Sequence, residues 1–582
     1  MIDDVLRRRA IELGVELTYE DVDQVVHAAD PLVVAQVVDV LDADHARVTG
    51  HDIVASIHLD PRRPVEVSAR VTDAELLIDG APVPVETEHT DDGSRIILPA
   101  DVPIGCHPLR VDAGPISVEC LVVAAPETIP GSDPASRSSS LFVPAYALWE
   151  RDRPLPSFAH LGHLARHLRA SGVDTLATLP LYATFLDDPF DPSPYSPISR
   201  LHWNEVYLDD DGLPDEARPE LGEDVDWRAL AARRRRQLIR AAEAADETLI
   251  AELTQFAAAH PDVGSYARFR AQRESGDAIV VQRSHVLAQY LADAQLGSIA
   301  SDPTAAGLSL DLPIGSHPGG WETWAHPNLF AESMAVGAPP DSFFTEGQNW
   351  GFPPQLPTAM RTTGYELWRQ MITRVGRHAS MLRIDHVMAV HRLWWIPDGR
   401  PADRGVYVRY PHDELLAVIA ATAATAQVAV VGENLGTVPP AVDAALDEWQ
   451  MLGMYEEQFA MDDESLGAIP TRSVAGVRTH DMAPFAVAVD ERAGSAELDR
   501  YRRLLGPSDE PLLDTVLERL AASDAQMIVA DLDDLLDETR PHNLPGRVVP
   551  GIWQRRLDDP LTETLDDERV RRRLALLERP ET

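Results

Sequence analysis

Lysine is absent from this chain. Its 582 residues include 51 basic residues, all of them arginine, against 94 acidic residues, and the net charge is −43. Without lysine the chain has no Walker-type phosphate-binding loop, no kinase-type catalytic lysine and no Schiff base to pyridoxal phosphate. The negative charge also argues against nucleic acids and anionic membranes as partners, because both repel an acidic surface. A neutral substrate is the simplest expectation.

Cysteine and long apolar runs are also scarce. Cys106 and Cys120 are the only two cysteines, too few for a disulfide framework or a structural zinc site. They lie on neighbouring strand-like segments, where a disulfide is one alternative, but we expect reduced, buried thiols. Polar residues interrupt the apolar run Leu415–Val431, and the N-terminus lacks the apolar segment and cleavage site of a signal peptide. We therefore expect a cytoplasmic protein without a membrane span.

Two further groups of residues are expected to be structural. His378 and His386 are eight residues apart and no HExxH pattern is present, so we predict no metal site and no cofactor. Trp394 and Trp395 are assigned to core packing rather than to sugar stacking.

The length predicts two or three domains. Residues 1–45 are predicted to form a small helical unit, because Ile2–Leu13 is amphipathic and Asp30-Pro31 supplies an N-cap and a first-turn proline. From 46 to 125 short β-branched runs alternate with Asp-Pro and Asp-Gly turns, which predicts a β-sandwich. We expect an accessory role for it, with sugar binding as the alternative.

A Pro/Ser-rich linker at 126–140 precedes a catalytic unit at 141–582, in which strand and helix patterns alternate. The strand candidates are Leu141–Leu148, Thr175–Leu179, Leu308–Ile314, Met381–His386, Val428–Glu433, Met454–Phe459, Ser473–Asp481 and Met527–Leu532. Eight is the number that an α/β fold of the (β/α)8 TIM-barrel type requires. A doubly wound sheet is the rival, but no glycine-rich phosphate turn follows the first strand.

A long insertion, at about 185–290, separates the second and third strands and is largely helical from Asp226 onward. The run Arg233–Arg236 lies on one of these helices. On so acidic a protein we expect a solvated face that pairs with nearby glutamates rather than a binding patch.

The chemistry centres on the stretch Met381–Pro397. Arg383 and Asp385 are two residues apart in an apolar run, so a strand places both on one face. Glu433 and Asp481 follow two further apolar runs in the same way, and parallel barrels carry active-site groups at these strand ends. Facing carboxylates can act as nucleophile and acid/base on a glycosidic bond. Taken singly, the three sites have alternatives: a structural ion pair, an ordinary turn and a helix N-cap.

Several motifs then carry a resemblance to a known family. The runs LRIDHVMAVHRLWWIP, VVGENLGTVPP and VRTHDM resemble the three catalytic signatures of the 4-α-glucanotransferases (amylomaltases, disproportionating enzymes) of glycoside hydrolase family 77. Further similar runs are SPYSPISRLHWNEVYLD at 193–209, DLPIGSHPGGWETWAHPNLF at 311–330, GQNWGFPP at 347–354 and PHNLPGR at 541–547. The likeness spans roughly 140–560, and the preceding helical unit and sandwich resemble the N-terminal extension of the longer bacterial members.

The resemblance implies three catalytic roles. Asp385 matches the nucleophile, Glu433 the acid/base, and Asp481 the carboxylate that stabilises charge and holds the distorted sugar ring. Glu433 ends the apolar run Val428–Val431, so desolvation is expected to raise its pKa and to keep the acid protonated.

The resemblance also implies substrate-binding roles for Tyr195, Asp311, Trp324, Gln348, Trp350, Arg383 and His480. Arg383 is expected to hold Asp385 ionised, because an adjacent cation lowers a carboxylate pKa by about one to three units. Asp311 and His480 would bind substrate hydroxyls and Tyr195 would stack on the sugar being cleaved. The other three side chains lie in motifs that line the glucan groove.

The sequence departs from the common family pattern in two places. In the run THDMAPF, the residues after the HD pair are Met-Ala where many family members have Asn-Asp. Asn434 stands after Glu433, where an acid is more usual. The expected activity is transfer of α-1,4-glucan segments between maltooligosaccharides by retaining double displacement. The alternatives are an α-glucan hydrolase on the same barrel and a non-catalytic glucan-binding protein.

Overall fold

The structure is a computed structural model that describes residues 2–21, 25–48, 56–131, 137–219, 222–341, 344–545 and 551–578. Within these residues the strands are β1 Thr18–Glu20, β2 Val26–Ala28, β3 Ile57–His58, β4 Val65–Val67, β5 Asp73–Ile78, β6 Ala81–Pro84, β7 Glu86–Thr90, β8 Gly93–Ile97, β9 Gly105–Ala113, β10 Ile116–Ala124, β11 Ser138–Phe142, β12 Thr175–Ala177, β13 Gly307–Leu312, β14 Met334–Ala338, β15 Gln348–Asn349, β16 Met381–Ile384, β17 Arg392–Pro397, β18 Val406–Arg409, β19 Ala429–Gly432, β20 Gly453–Glu456, β21 Ser473–Gly476 and β22 Met527–Asp531.

The helices in the same residues are α1 Asp4–Glu12, α2 Pro31–Val48, α3 Phe158–Ala170, α4 Trp227–Glu243, α5 Glu247–Ala259, α6 Pro261–Ala271, α7 Ala278–Ala300, α8 Trp321–Ala325, α9 Pro357–Thr362, α10 Glu366–Gly376, α11 His412–Ala426, α12 Pro440–Glu448, α13 Glu457–Ala460, α14 Phe485–Glu491, α15 Ala496–Leu505, α16 Leu512–Ala522, α17 Leu532–Leu535, α18 Leu561–Asp566 and α19 Glu568–Ala575. No helix in the described ranges combines the length and the apolar character needed to cross a bilayer.

Eight parallel strands form the barrel, in the order β19-β16-β13-β12-β11-β22-β21-β20. The ring closes between β19 and β20, where the Gly432 N–H donates to Leu452 O at 2.8 Å and the Leu452 N–H donates to Val430 O at 3.1 Å. All eight strands overlap the predicted runs, so the predicted TIM barrel is confirmed. The first strand starts earlier than predicted, inside the expected linker, and Ala145–Ala147 continues as a 3₁₀ helix rather than a strand.

The barrel interior changes character along its axis. Toward the N-terminal ends of the strands it is an apolar layer whose members include Met381, Val474 and Met527. Toward the C-terminal ends the inward positions carry charge, as at Asp311, Arg383, Glu456 and Arg478. Because side chains alternate across each strand, this switch places polar groups at the rim where barrels hold their active sites.

The segment before the barrel has a sandwich with its own core. A five-stranded sheet (β3-β10-β9-β5-β6) faces a three-stranded sheet (β4-β8-β7), and both contribute to one buried apolar cluster that includes Val65, Leu76 and Leu109. Sequence patterns missed β6 and β7. Both are edge strands, where proline and exposed polar residues are tolerated. The first of the β-branched runs that predict the sandwich, Ile53–Leu59, begins outside the described residues.

The helical unit docks on a four-stranded sheet of the catalytic unit, ordered β15-β14-β17-β18. Glu16 accepts from Arg392 Nη1 at 2.6 Å and from Arg409 Nε at 2.7 Å. Trp394 and Trp395 are 1% and 0% exposed in β17, as expected of core residues. The predicted domain boundaries themselves stay a proposal.

The insertion consists of α4 to α7, and one expectation about it was wrong. Arg233 and Arg234 in α4 are 2% and 1% exposed, not solvated. Both guanidinium groups donate to Asp210, at 2.8 and 3.2 Å. The predicted pairing with acidic residues is present. The pairs with Asp210 are buried, and they hold the insertion to the loop after β12.

Candidate active site

Three carboxylates lie at the C-terminal rim of the barrel. Asp385 directly follows β16, Glu433 directly follows β19, and Asp481 lies in the loop after β21. The backbone continues the ladder at the first two positions, because the Asp385 N–H donates to Leu312 O at 3.1 Å and the Glu433 N–H to Ile384 O at 3.0 Å. The strand order therefore fixes Asp385 and Glu433 as neighbours.

A strained backbone turn links these two residues more closely. His386, directly after Asp385, adopts the left-handed region at φ 43° and ψ 64°, which is uncommon for residues other than glycine. In this conformation its N–H donates to Glu433 Oε2 at 2.7 Å. Such strain is tolerated where the surrounding structure fixes it, often at active sites.

Arg383 connects Asp385 to a second acid. Its Nη1 donates to Asp385 Oδ1 at 3.2 Å and to both carboxylate oxygens of Asp311 at 2.8 Å. The hydroxyl of Tyr195 donates to Asp311 Oδ2 at 2.6 Å. Four of the predicted site residues thus form one connected network.

The pKa of Asp385 differs from the expectation. Burial raises the pKa of Asp385 to about 7, with Asp311 and Asp481 adding to the rise and Arg383 opposing it. The expected influence of Arg383 is present in sign, but it does not hold the pKa below the ordinary value. Burial outweighs it because the same guanidinium group is shared with Asp311.

The pKa of Glu433 is raised as predicted. Burial raises the pKa of Glu433 to about 8, and the nearby Asp385 and Asp481 carboxylates also favour the neutral acid. Two hydrogen bonds orient the group, from the His386 N–H at 2.7 Å and from the Leu435 N–H at 3.2 Å. The pKa of Glu433 is thus raised by burial, while the contact with Arg383 favours the ionised form of Asp385.

Asp481 lies at the mouth of the site, with its side chain 45% exposed. The Asn543 Nδ2 donates to its Oδ1 at 2.5 Å. The neighbouring His480 ring stacks on Tyr195, with centroids 5.1 Å apart and planes 7° apart. Burial lowers the pKa of His480, so at neutral pH its ring is uncharged.

Asn543 and Trp553 also lie at the site but are not among the residues predicted from the sequence, although Asn543 belongs to the PHNLPGR motif. Trp553 lies 5.9 Å from Tyr195 and 6.1 Å from His480 between ring centroids. The only signal for Asn543 is that motif, whose residues 546 and 547 lie outside the described ranges, and Trp553 lies beyond the motif.

A buried network holds the Asn543 segment in place. His542 Nδ1 lies 3.0 Å from the Tyr146 hydroxyl, and its Nε2 lies 3.1 Å from Asp533 Oδ2. Arg555 donates to the same Asp533 carboxylate. Because the residue before Asn543 is fixed on two sides, the amide that meets Asp481 is positioned in advance.

The remaining predicted substrate ligands divide into two sets. Trp350 Nε1 donates to Gln348 Oε1 at 3.4 Å, and the Trp350 ring meets His386 edge-on at 5.1 Å, which joins both residues to the carboxylates. Trp324 in α8 is 41% exposed and packs on Phe269 at 5.5 Å. In the described part of the chain neither a hydrogen bond nor a ring contact links Trp324 to the carboxylates.

One buried ion pair joins two of the motif loops. Arg200 and Glu322 are 1% and 0% exposed, and Arg200 Nη2 donates to Glu322 Oε2 at 2.7 Å. Arg200 Nη1 also donates to Ile314 O at 2.7 Å. Such buried pairs contribute little net stability, but this one fixes the Tyr195 loop against the loop after β13.

Asn434, the departure beside Glu433, has a structural role. Its Oδ1 accepts from the Met454 N–H at 2.7 Å and its Nδ2 donates to Asp443 at 2.8 Å. Among the described residues no three His, Cys, Asp or Glu side chains are arranged to hold a metal ion.

The model of the 4-alpha-glucanotransferase family, glycoside hydrolase family 77, matches residues 143–284 and 280–562. The chain belongs to this family. The 4-alpha-glucanotransferase of Mycobacterium tuberculosis (strain H37Rv) is 28% identical over 598 residues, covering 84% of this chain and 82% of its own. As a 4-alpha-glucanotransferase the chain is an enzyme that acts on α-1,4-glucans.

Solved structures agree on the fold of this glucanotransferase. The amylomaltase of Corynebacterium glutamicum matches with a TM-score of 0.86 at 22% identity and covers 99% of both chains. The amylomaltase of Streptococcus agalactiae, solved in complex with acarbose, matches with a TM-score of 0.67 at 22% identity, over 76% of this chain and 98% of its own. The first of these likenesses extends through the N-terminal helices and sandwich.

Proposed function

We propose that the enzyme transfers α-1,4-glucan segments between maltooligosaccharides by a retaining double displacement. The observation that carries the proposal is the pairing of Asp385 with Glu433 through the His386 turn. Retaining glycosidases need two carboxyl groups about 5–5.5 Å apart, one as nucleophile and one as acid/base. Neighbouring strands lie about 4.7–4.9 Å apart, so carboxyl groups that follow β16 and β19 can meet at such a spacing.

In the first step an Asp385 oxygen forms a bond to the anomeric carbon of the donor sugar. The bond from that carbon to the leaving 4-oxygen breaks as Glu433 gives its proton to the oxygen. In the second step Glu433 takes the proton of an acceptor 4-hydroxyl, and that oxygen displaces Asp385 with net retention. The order of the two pKa values supports these roles, because Glu433 holds its proton to higher pH than Asp385.

The other groups would position the sugar. Asp481 would stabilise the positive charge that develops on the ring, with Asn543 holding its carboxylate. Arg383 would hold Asp385 and Asp311, and Asp311 would exchange its bond from Tyr195 for one from a substrate hydroxyl. The stacked pair of Tyr195 and His480 would form the floor under the sugar being cleaved.

Transfer rather than hydrolysis requires that water be kept from the covalent intermediate. The aromatic side chains around the carboxylates, Tyr195, Trp350 and Trp553, support this. One amylomaltase of similar fold was solved in complex with acarbose, and we expect acarbose to bind this enzyme as well.

Incubation of the purified protein with maltotriose tests the proposal. A ladder of longer oligosaccharides together with glucose on a thin-layer plate is expected. Release of glucose and maltose alone would identify a hydrolase instead. A fluorinated glucosyl donor should leave a covalent adduct on Asp385 that peptide mass spectrometry locates, and binding without any adduct would contradict the double displacement.

A further inference from the structure

Glu456 is a buried acid in the barrel that the proposed chemistry does not use. It is the last residue of β20 and is 2% exposed. Neither carboxyl oxygen has a hydrogen-bond partner among the described residues. Burying a polar group without a partner is unfavourable, because the group loses its hydrogen bonds to water. A carboxyl group at this position therefore requires an explanation.

The neighbouring strand leaves a slot for this group. Glu456 and Gly476 are paired in the register of β20 and β21. A Cβ added at Gly476 would lie 2.7 Å from Glu456 Oε2 and 2.9 Å from Val529 Cγ1. Any larger residue at 476 would displace the carboxyl group, so the two positions are matched to each other.

Glu456 lines a cavity that lies below the active site. The cavity has a volume of about 80 Å³, and its lining is largely apolar toward Met381, Val474 and Met527. Its polar lining includes Ser140, Thr178, Asp311, Arg383, Glu456 and Arg478. A water molecule occupies about 30 Å³ and needs two to four polar partners, so the cavity has room and ligands for a few waters. Water is thus the available partner for both Glu456 oxygens.

Charged groups face Glu456 from several elements. Burial has the largest effect and raises the pKa of Glu456 to about 8. Two cations, Arg383 on β16 and Arg478 after β21, lower this pKa, whereas two acids, Glu433 after β19 and Asp534 on α17, raise it. Asp311 and His480 line the same cavity. The next residue, Glu457 at the start of α13, accepts instead from Tyr501 and Arg519, each at 2.9 Å.

We propose that Glu456 is a positioning residue for glycosyl transfer. As a neutral acid joined to the site by cavity water, it does not compete with Asp311 and Asp385 for the positive charge of Arg383. When it ionises, its negative charge helps Glu433 to retain its proton. The second effect follows because two interacting acids titrate as a pair. A negative charge on Glu456 makes loss of the Glu433 proton less favourable. The inference rests on the proposed function, since it assigns Glu433 the acid/base role.

The test is the pH profile of kcat/KM for transfer from maltotriose, compared between the natural enzyme and Glu456→Gln. Glutamine keeps the size of the side chain but cannot ionise. We expect the alkaline limb of the variant to move to lower pH by about half a unit or more, with KM at neutral pH unchanged. An unmoved alkaline limb would overturn the inference.

Glu457→Gln is the matched control, because it neutralises the buried carboxyl group of the next residue, which starts α13 and does not line the cavity. It is expected to lower stability and to leave the pH profile in place; an equal shift in this control would overturn the inference.

If Glu456→Gln does not fold, Gly476→Ala tests the same contact, and an unaltered alkaline limb in that variant would overturn the inference. Failure of the natural enzyme to transfer at all would instead refute the proposed function.

A spectroscopic measurement gives an independent answer. Infrared difference spectra at pH 7 should show that Glu456→Gln loses carbonyl-stretch intensity from a protonated carboxylic acid. No loss would mean that Glu456 is ionised at pH 7, which contradicts the neutral state that the inference requires.

Discussion

The two halves of the barrel interior are built on the same eight strands and have opposite composition. In the N-terminal half the inward positions are apolar, as at Met381 and Met527. Two residues further along the same strand as Met381, the inward position is Arg383, which is bound to two carboxylates. The first half contributes stability by burying apolar side chains. In the second, polar groups occupy positions that packing alone would fill with apolar side chains, a departure typical of functional sites.

The charged half should be the more sensitive to an isosteric change. Glu433→Gln removes one proton donor and no volume, and we expect kcat for transfer to fall by about 10²- to 10⁴-fold. Binding of maltooligosaccharide, measured by calorimetry, should be retained. Glu448→Gln, on the exposed end of α12, is the control. Unchanged turnover in Glu433→Gln would remove this residue from the acid/base role.

The apolar half should respond in stability rather than in rate. Met527→Ala is expected to lower the free energy of unfolding by about 2–5 kcal/mol, because it leaves a cavity in the layer below the site. The folded fraction should keep its kcat. Leu504→Ala, at a 39% exposed position, should change stability by less than about 0.5 kcal/mol. A loss of kcat without loss of stability in Met527→Ala would break the distinction between the two halves.

Asn543→Ala tests a contact at the edge of the charged half. It removes the hydrogen bond to Asp481 and leaves every carboxyl group of the site in place. We expect kcat to fall about tenfold, which corresponds to a rise of about 1.4 kcal/mol in the activation free energy. Thermal unfolding should stay near that of the natural enzyme, because the His542 network remains. A drop in melting temperature that accounts for the whole loss of activity would contradict a positioning role for Asn543.

The pH dependence of kcat/KM provides the gentlest test. The active form needs ionised Asp385 and protonated Glu433, whose pKa values are raised to about 7 and about 8. The profile should therefore be bell-shaped, falling below the first value as Asp385 gains a proton and above the second as Glu433 loses one. A plateau extending down to pH 4 would show that Arg383 outweighs burial at Asp385.

The raised pKa of Glu433 also sets a sign for stability. A group whose folded-state pKa exceeds its unfolded value stabilises the folded protein at low pH, and that stabilisation is lost as pH rises through the folded value. Between about pH 4.5 and 8 this one residue favours folding less and less. Denaturation in guanidinium at several pH values should show a smaller decline for Glu433→Gln than for the natural chain.

Sequence patterns predicted the barrel because strand, helix and turn signals act locally and repeat. The eight apolar runs and the carboxylates after them are visible without any tertiary information. The predicted pKa of Glu433 was right in direction for the same reason, since an apolar run ahead of the residue indicates burial.

The failures have a common physical cause, which is that charge and burial are settled between distant segments. The exposure of Arg233 depends on Asp210, a partner outside its helix. The pKa of Asp385 depends on Asp311, with which it shares Arg383. The amide of Asn543 meets Asp481 across 62 positions of sequence, and no local pattern indicates that contact.

The Glu16 contact has a consequence for shortened versions of this chain. Its partners Arg392 and Arg409 belong to a sheet whose far edge, β15, carries Gln348 and leads into Trp350. Removing the residues through Glu16 would leave these two cations without their acid on one side of that sheet, while Gln348 lies on its opposite edge. In a shortened enzyme we therefore expect the choice of glucan substrates to change before the rate of bond cleavage falls.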